Sequence, residues 1–259
     1  MTKTTPSVDH LVGVVVDPDK NLLVFIQDNV LINHLKRDSH KIERSFDELC
    51  ESDIKELSHL QSQAATLILA GMAKATKAGD HLRITCGQLL MNALNSFTAA
   101  VHVLRGGFVL QPPILLRSLL ERLAVIIHLM MKPNDLADLN SGKLLSTRAV
   151  ATASKAISGF GRLYGEFTNE FAHSSSIDLC LQPLSEYKVL SEPLKVNLAY
   201  LRGSLWLFYV TVELTFHDVV PETRYWKRKG HGPLCYNPST EEQVWLREFL
   251  RIVEGREKG

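Results

Sequence analysis

At 259 residues the chain is long enough for one large domain or two small ones with a full hydrophobic core. Hydrophobic residues at 45% and charged residues at 22% are an ordinary globular balance, and a formal net charge of +1 gives no overall field to draw in nucleic acid or membrane. The N-terminal stretch MTKTTPSVDHLVGVVVDPDK lacks the apolar core of a secretory signal, and the longest apolar runs are too short to span a bilayer. Cys50, Cys86, Cys180 and Cys235 are too scattered for a disulfide framework or a zinc pair, so reduced thiols in a cytoplasmic protein without a cofactor are expected.

In chain order, residues 1–16 read as an arm in which VGVVV makes one short strand or lies on the core. Asp17-Pro18 has the form of a helix start, a capping Asp followed by Pro, and Leu22, Phe25, Ile26 and Leu35 continue at helical spacing. KRDSHKIERS reads as a charged connection to a long helix from about Phe46 to Ala78, which completes an N-terminal helical layer over 17–80. Gly79 ends that helix and Asp80 caps the next, over 81–104. After Arg105-Gly106-Gly107, Gln111-Pro112-Pro113 opens the most apolar helix, Pro113–Met131, and so short a connection makes the two helices antiparallel neighbours. Helices over Ser146–Ser158 and Phe160–Ala172, a loop over 174–192 and a second apolar helix over Pro193–Val219 finish a core of 81–220. The remainder, 221–259, holds an irregular basic segment and a last helix capped at Ser239. No alternating strand stands out, so the expected fold is all-α, a bundle of about seven helices around a central antiparallel helical hairpin. Small-residue and aromatic helix faces make a homodimer plausible.

Three groupings of residues can carry chemistry. On the apolar helix 113–131, Arg117, Glu121, Ala124 and His128 share one stripe, and buried charges there require pairing, with Arg117 and Glu121 in reach at i,i+4. Downstream, His173 in RLYGEFTNEFAHSSS is a plausible general acid or base, and Arg117 could steady developing phosphoryl charge. Second, Glu56-x-x-His59 and Glu170-x-x-His173, with the lone Glu121 and Glu213, are the ligand types of a di-metal carboxylate bundle, because a Glu and a His three apart share a helical face. Third, Arg224, Trp226, Lys227, Arg228 and Lys229 interleave cations with aromatics, a pattern that clamps phosphates and stacks bases. The competing reading of that run is a solvated loop with Trp226 tucked onto the bundle.

The R-x-x-x-E pair of Arg117 and Glu121, followed by Glu170-Phe171-Ala172-His173-Ser174 at the end of an aromatic-bearing helix, resembles bacterial all-α families of unknown function distantly related to HEPN-like helical domains. The resemblance covers about residues 80–220. It implies a helical dimer and, in some members, metal-independent RNA cleavage in stress or phage defence by an Arg and a His four to six residues apart. At that spacing before His173 stand Phe167, Thr168 and Asn169. The expectation is therefore a non-catalytic interaction or regulatory protein with a polar cleft from Arg117, Glu121 and His173, binding RNA, a nucleotide or a protein. A ribonuclease is the first alternative and a di-metal protein the second.

Overall fold

The computed structural model describes residues 11–171, 184–228, 230 and 232–251. It opens with strands β1 (Leu11–Asp17) and β2 (Leu22–Gln27), an antiparallel hairpin in which Val14, Val15 and Val16 lie opposite Phe25, Val24 and Leu23. The helix expected from Asp17-Pro18 is therefore a turn and a strand. Aromatic and β-branched cross-strand pairs favour the ladder, and Asn21 accepts the left-handed conformation (φ 49°) that the turn needs.

Helix α1 (Val30–Asn33) runs through a π turn, His34–Asp38, into α2 (Ser39–Leu49). The segment read as a charged connection is thus helical, because Ile42 and Phe46, one turn apart, are both buried and fix one face. After Cys50 comes α3 (Glu51–Ala78), whose buried Leu57, Leu60, Ala64, Ile68, Gly71 and Ala75 follow steps of three and four. Gly79 closes it at φ 65°, and the Asp80 side chain accepts the Arg83 N–H at 3.0 Å to cap α4 (His81–Arg105). Pro112 and Pro113 then open α5 (Pro112–Met131), which packs extensively on α4. Two shorter helices, α6 (Leu136–Asn140) and α7 (Ser146–Ala156), precede α8 (Phe160–Phe171), and both α7 and α8 lie against α5.

The hub is α9 (Glu192–Thr215), which packs on α3, α4 and α5 and is buried at every position from Ser204 to Thr215. Beyond it, Asp218 binds Lys74 and Arg83, each at 2.8 Å. Partial burial alone would raise the Asp218 carboxyl, but the two cations hold it down to about 2. Strands β3 (Trp226–Arg228) and β4 (Leu234–Tyr236) form a second small hairpin, and α10 (Thr240–Leu250), capped by the Ser239 side chain, rests on α9. The fold is dominated by helices, with more helical segments than the seven expected and two hairpins besides. Among the described residues, no helix is long and apolar enough to cross a membrane.

Close approach at Gly71 leads to one prediction. A Cβ there would overlap the Phe216 ring and its own Cβ, so the side chain that must move is blocked near its root. Gly71→Ala should lower stability by about 1–3 kcal/mol, as overpacking does, despite alanine's better helix propensity. Urea denaturation measures it, and a stabilised variant would show that α3 and the end of α9 are further apart than described.

Candidate functional site

On α5, eleven side chains are buried, yet Arg117 and Glu121 retain 32% and 35% of their side-chain exposure and pair at 3.2 Å. From α8, the Tyr164 hydroxyl donates to the same Glu121 Oε1 at 3.1 Å, and the Arg117 guanidinium lies 5.7 Å from the Tyr164 ring centre. The guanidinium is thus fixed in orientation by a carboxylate on its own helix and a ring on the next. Among the described residues, its Nε is buried without a hydrogen-bond partner. Together these three side chains form a part-exposed polar group between α5 and α8, with a cation presented on a rigid helix.

The rest of the stripe serves the fold. Ala124 is core, and His128 is fully buried, with Nδ1 2.8 Å from the Thr152 hydroxyl and Nε2 2.8 Å from Asp135. Asp135 also meets Arg148 at 2.9 Å, and the His128 hydrogen bond, with Arg148, draws its carboxyl below the usual range. His173 and the Glu170 side chain lie outside the described residues, so the cleft is described for Arg117, Glu121 and Tyr164.

The basic–aromatic run is bound into the molecule. Trp226 is fully buried and its indole N–H donates to the Val210 carbonyl at 2.8 Å, while Tyr225 is buried beside Trp206 and Tyr209. Arg224 forms a fork with Glu242 (2.9 and 2.7 Å) and lies 4.9–5.5 Å from the ring centres of Trp245, Tyr209 and Tyr225. Lys227 binds Glu222 at 2.9 Å, and Arg228 remains exposed, 3.4 Å from His217. Lys229 lies outside the described residues. Of the five residues proposed to hold nucleic acid, Trp226 and Arg224 are engaged in packing and pairing within the fold.

The four described side chains of the di-metal set have separate surroundings. Glu121 belongs to the cleft, and Glu56 binds Arg202 and Arg251. His59 is exposed beside Gln63, and Glu213 accepts the backbone N–H groups of Tyr225 and Trp226 at 2.7 and 3.2 Å. Burial pushes the Glu213 carboxyl up, against the pull of those donors. Among the described residues, no group of three His, Cys, Asp or Glu side chains is placed to hold a metal ion. Burial likewise pushes the thiols of Cys50 and Cys86 to about 11 and about 12, which keeps them protonated and unreactive at neutral pH.

Sequence reasoning missed a second charged centre. Arg202, 1% exposed on α9, donates to Glu56, to Asp53 at 2.8 Å and to the Phe249 carbonyl at 2.9 Å, with its guanidinium 5.2 Å from the Phe249 ring centre. The Phe249 ring stacks in turn on Trp245 at 5.0 Å, and Arg224 lies on Trp245. Two arginines and two rings thus hold α10 on the body. Beside this ladder a cavity of about 550 Å³ opens between α3 and α10. Lys55, Glu56, His59 and Arg224 on its walls all have partners of their own. A signal for Arg202 was present, a lone cation in an apolar helix, the same signal that singled out Arg117.

The chain matches no family model, no curated protein and no solved structure.

Proposed function

We propose that the chain is a non-catalytic helical interaction protein whose cleft between α5 and α8 receives a phosphate of RNA or of a nucleotide. One observation carries this reading. The Arg117 guanidinium is held by Glu121 and Tyr164 in a fixed orientation at a part-exposed surface. A guanidinium preorganised at a part-exposed surface is the chemistry that recognises phosphate. The pairing of Arg117 with Glu121 is read as positioning a ligand, with the Glu121 carboxylate occupied by Arg117 and Tyr164. The basic run does not add to this reading, because Trp226 is core and Arg224 is paired.

The test is fluorescence anisotropy of a labelled single-stranded RNA oligonucleotide and of a labelled nucleotide, in EDTA, with the RNA recovered afterwards on a gel. Wild type should bind one of them and leave RNA intact. Arg117→Ala should weaken binding by about tenfold or more, the worth of a hydrogen bond to a charged group, and Arg117→Lys should rescue it only in part because the fork is lost. Equal affinity of wild type and Arg117→Ala would remove the cleft from the account. RNA cleavage abolished by His173→Ala would replace binding with catalysis.

A further inference from the structure

The hairpin of β1 and β2 is unlike the rest of the molecule. Val12, Val16 and Phe25 are 69%, 65% and 46% exposed, and the exposed apolar side chains Val14, Val15, Leu22, Leu23 and Val24 lie around them. Side chains alternate between the two faces of a strand, so consecutive exposed residues mean that both faces of the hairpin are open. The contacts of β1 and β2 are essentially with each other, and the apolar surface continues along Val30, Leu31, Ile32 and Leu35 of α1 and the π turn. An isolated two-stranded hairpin is at best marginally stable in water, and strands that are apolar on both faces belong inside an assembly.

The two edges differ. On β1 the pairing register shifts between Leu11 and Gly13, a bulge that twists the strand away from a straight ladder. Along Leu22–Gln27 there is no charge, no proline and no bulge, none of the devices that guard an edge. The unprotected edge of this hairpin is β2.

We propose that the occupant is a second copy of this chain, with the two hairpins joined β2 to β2 in an antiparallel four-stranded sheet. An antiparallel strand is geometrically complementary to itself, because a two-fold axis perpendicular to the sheet places one residue opposite its own copy and repeats the ladder on either side. The bulged β1 strands then form the outer edges, which closes the assembly at two copies instead of continuing as a fibre. The β2-to-β2 join pairs the open backbone edges, and it sets the apolar faces of the two hairpins side by side as one continuous surface. A lipid surface is the poorer occupant. Open strand edges have no hydrogen-bond partners in hydrocarbon, and Asp17 and Asp19 at the hairpin tip would enter first.

Sedimentation of the full chain across a dilution series tests this. Wild type should be dimeric at the higher concentrations, and Val24→Lys/Phe25→Lys, which puts a charge on each face of β2, should be monomeric with unchanged helical circular dichroism. Hydrogen exchange of unmodified protein gives a second reading, in which the amides of Leu22–Gln27 should be protected in concentrated samples and lose protection on dilution. A monomeric wild type at every concentration, or a dimer that survives the double substitution, would overturn the proposal. So would exchange over Leu22–Gln27 that is independent of concentration. A monomer that floats with phosphatidylcholine vesicles would overturn it in favour of lipid. The RNA-binding result does not bear on these outcomes.

Discussion

Replacing Trp226 by alanine should cost about 3–5 kcal/mol of folding stability, the scale of a large buried side chain truncated in a core. Trp226 is fully buried, donates its indole N–H to the Val210 carbonyl and lies edge-on to Tyr236 at 5.9 Å. Its own backbone N–H is one of the two that Glu213 accepts, so the cavity left behind would sit beside a buried carboxylate. Urea unfolding followed by far-ultraviolet circular dichroism measures the loss. This substitution separates two accounts of the same residue. A tryptophan that stacks on bases at a surface could be removed with little change in stability and a large change in nucleic-acid affinity. A core tryptophan reverses that order. A loss within about 0.5 kcal/mol, the range of an ordinary surface change, would return the basic–aromatic run to the list of nucleic-acid contacts.

Arg202→Ala should be comparably severe, about 3–5 kcal/mol, because removing one member of a buried ion pair leaves the other charged and uncompensated. Asp53 is the member left behind, with a side chain only 5% exposed. Arg251 reaches the same Asp53 oxygen at 2.8 Å from the end of α10 and offsets part of the cost. The Phe249 carbonyl would lose its donor and the Phe249 ring its stacked cation in the same substitution. Chemical denaturation of Arg202→Ala, Asp53→Ala and the double variant forms a thermodynamic cycle. The double variant should lose clearly less than the sum, since the penalty of each single change is largely the charge it strands. A single-variant loss of about 1 kcal/mol or less, the worth of an exposed pair, would mean that the Arg202 site is hydrated.

The helices were legible where an apolar period was long and its ends were marked. Gly79 and Asp80 bound α3 and α4 as their chemistry dictates, Pro112 and Pro113 open α5, and Ser239 caps α10. The N-terminal segment was misread because Leu22, Phe25 and Ile26 satisfy a helical spacing as well as a strand, and Asp-Pro starts turns as readily as helices. Its cross-strand partners, Val14 to Val16, could have decided the matter. At the cleft, the Arg117–Glu121 pair follows from i,i+4 spacing on one helix. Tyr164 does not follow, because a contact between helices 43 residues apart in sequence is fixed by tertiary packing alone. Trp226 tucked onto the bundle was the competing reading of the basic run, but where it docks was not legible. Its host is α9, and the carboxylate that anchors the β3 backbone, Glu213, reads in sequence as an isolated acid on an apolar helix.

The position of α9 in the chain sets the order in which this protein can be made. Helix α4 packs on α3 and α5, but all three also pack on α9, and the chain must be synthesised to Thr215 before that helix is complete. The residues of the β1–β2 arm, complete at Gln27, are synthesised before it by an interval on the order of 10 s or more at ordinary rates of translation. Throughout that interval, successive ribosomes on one message carry synthesised arms on unfinished bundles, so copies of the arm are close together before any bundle is closed.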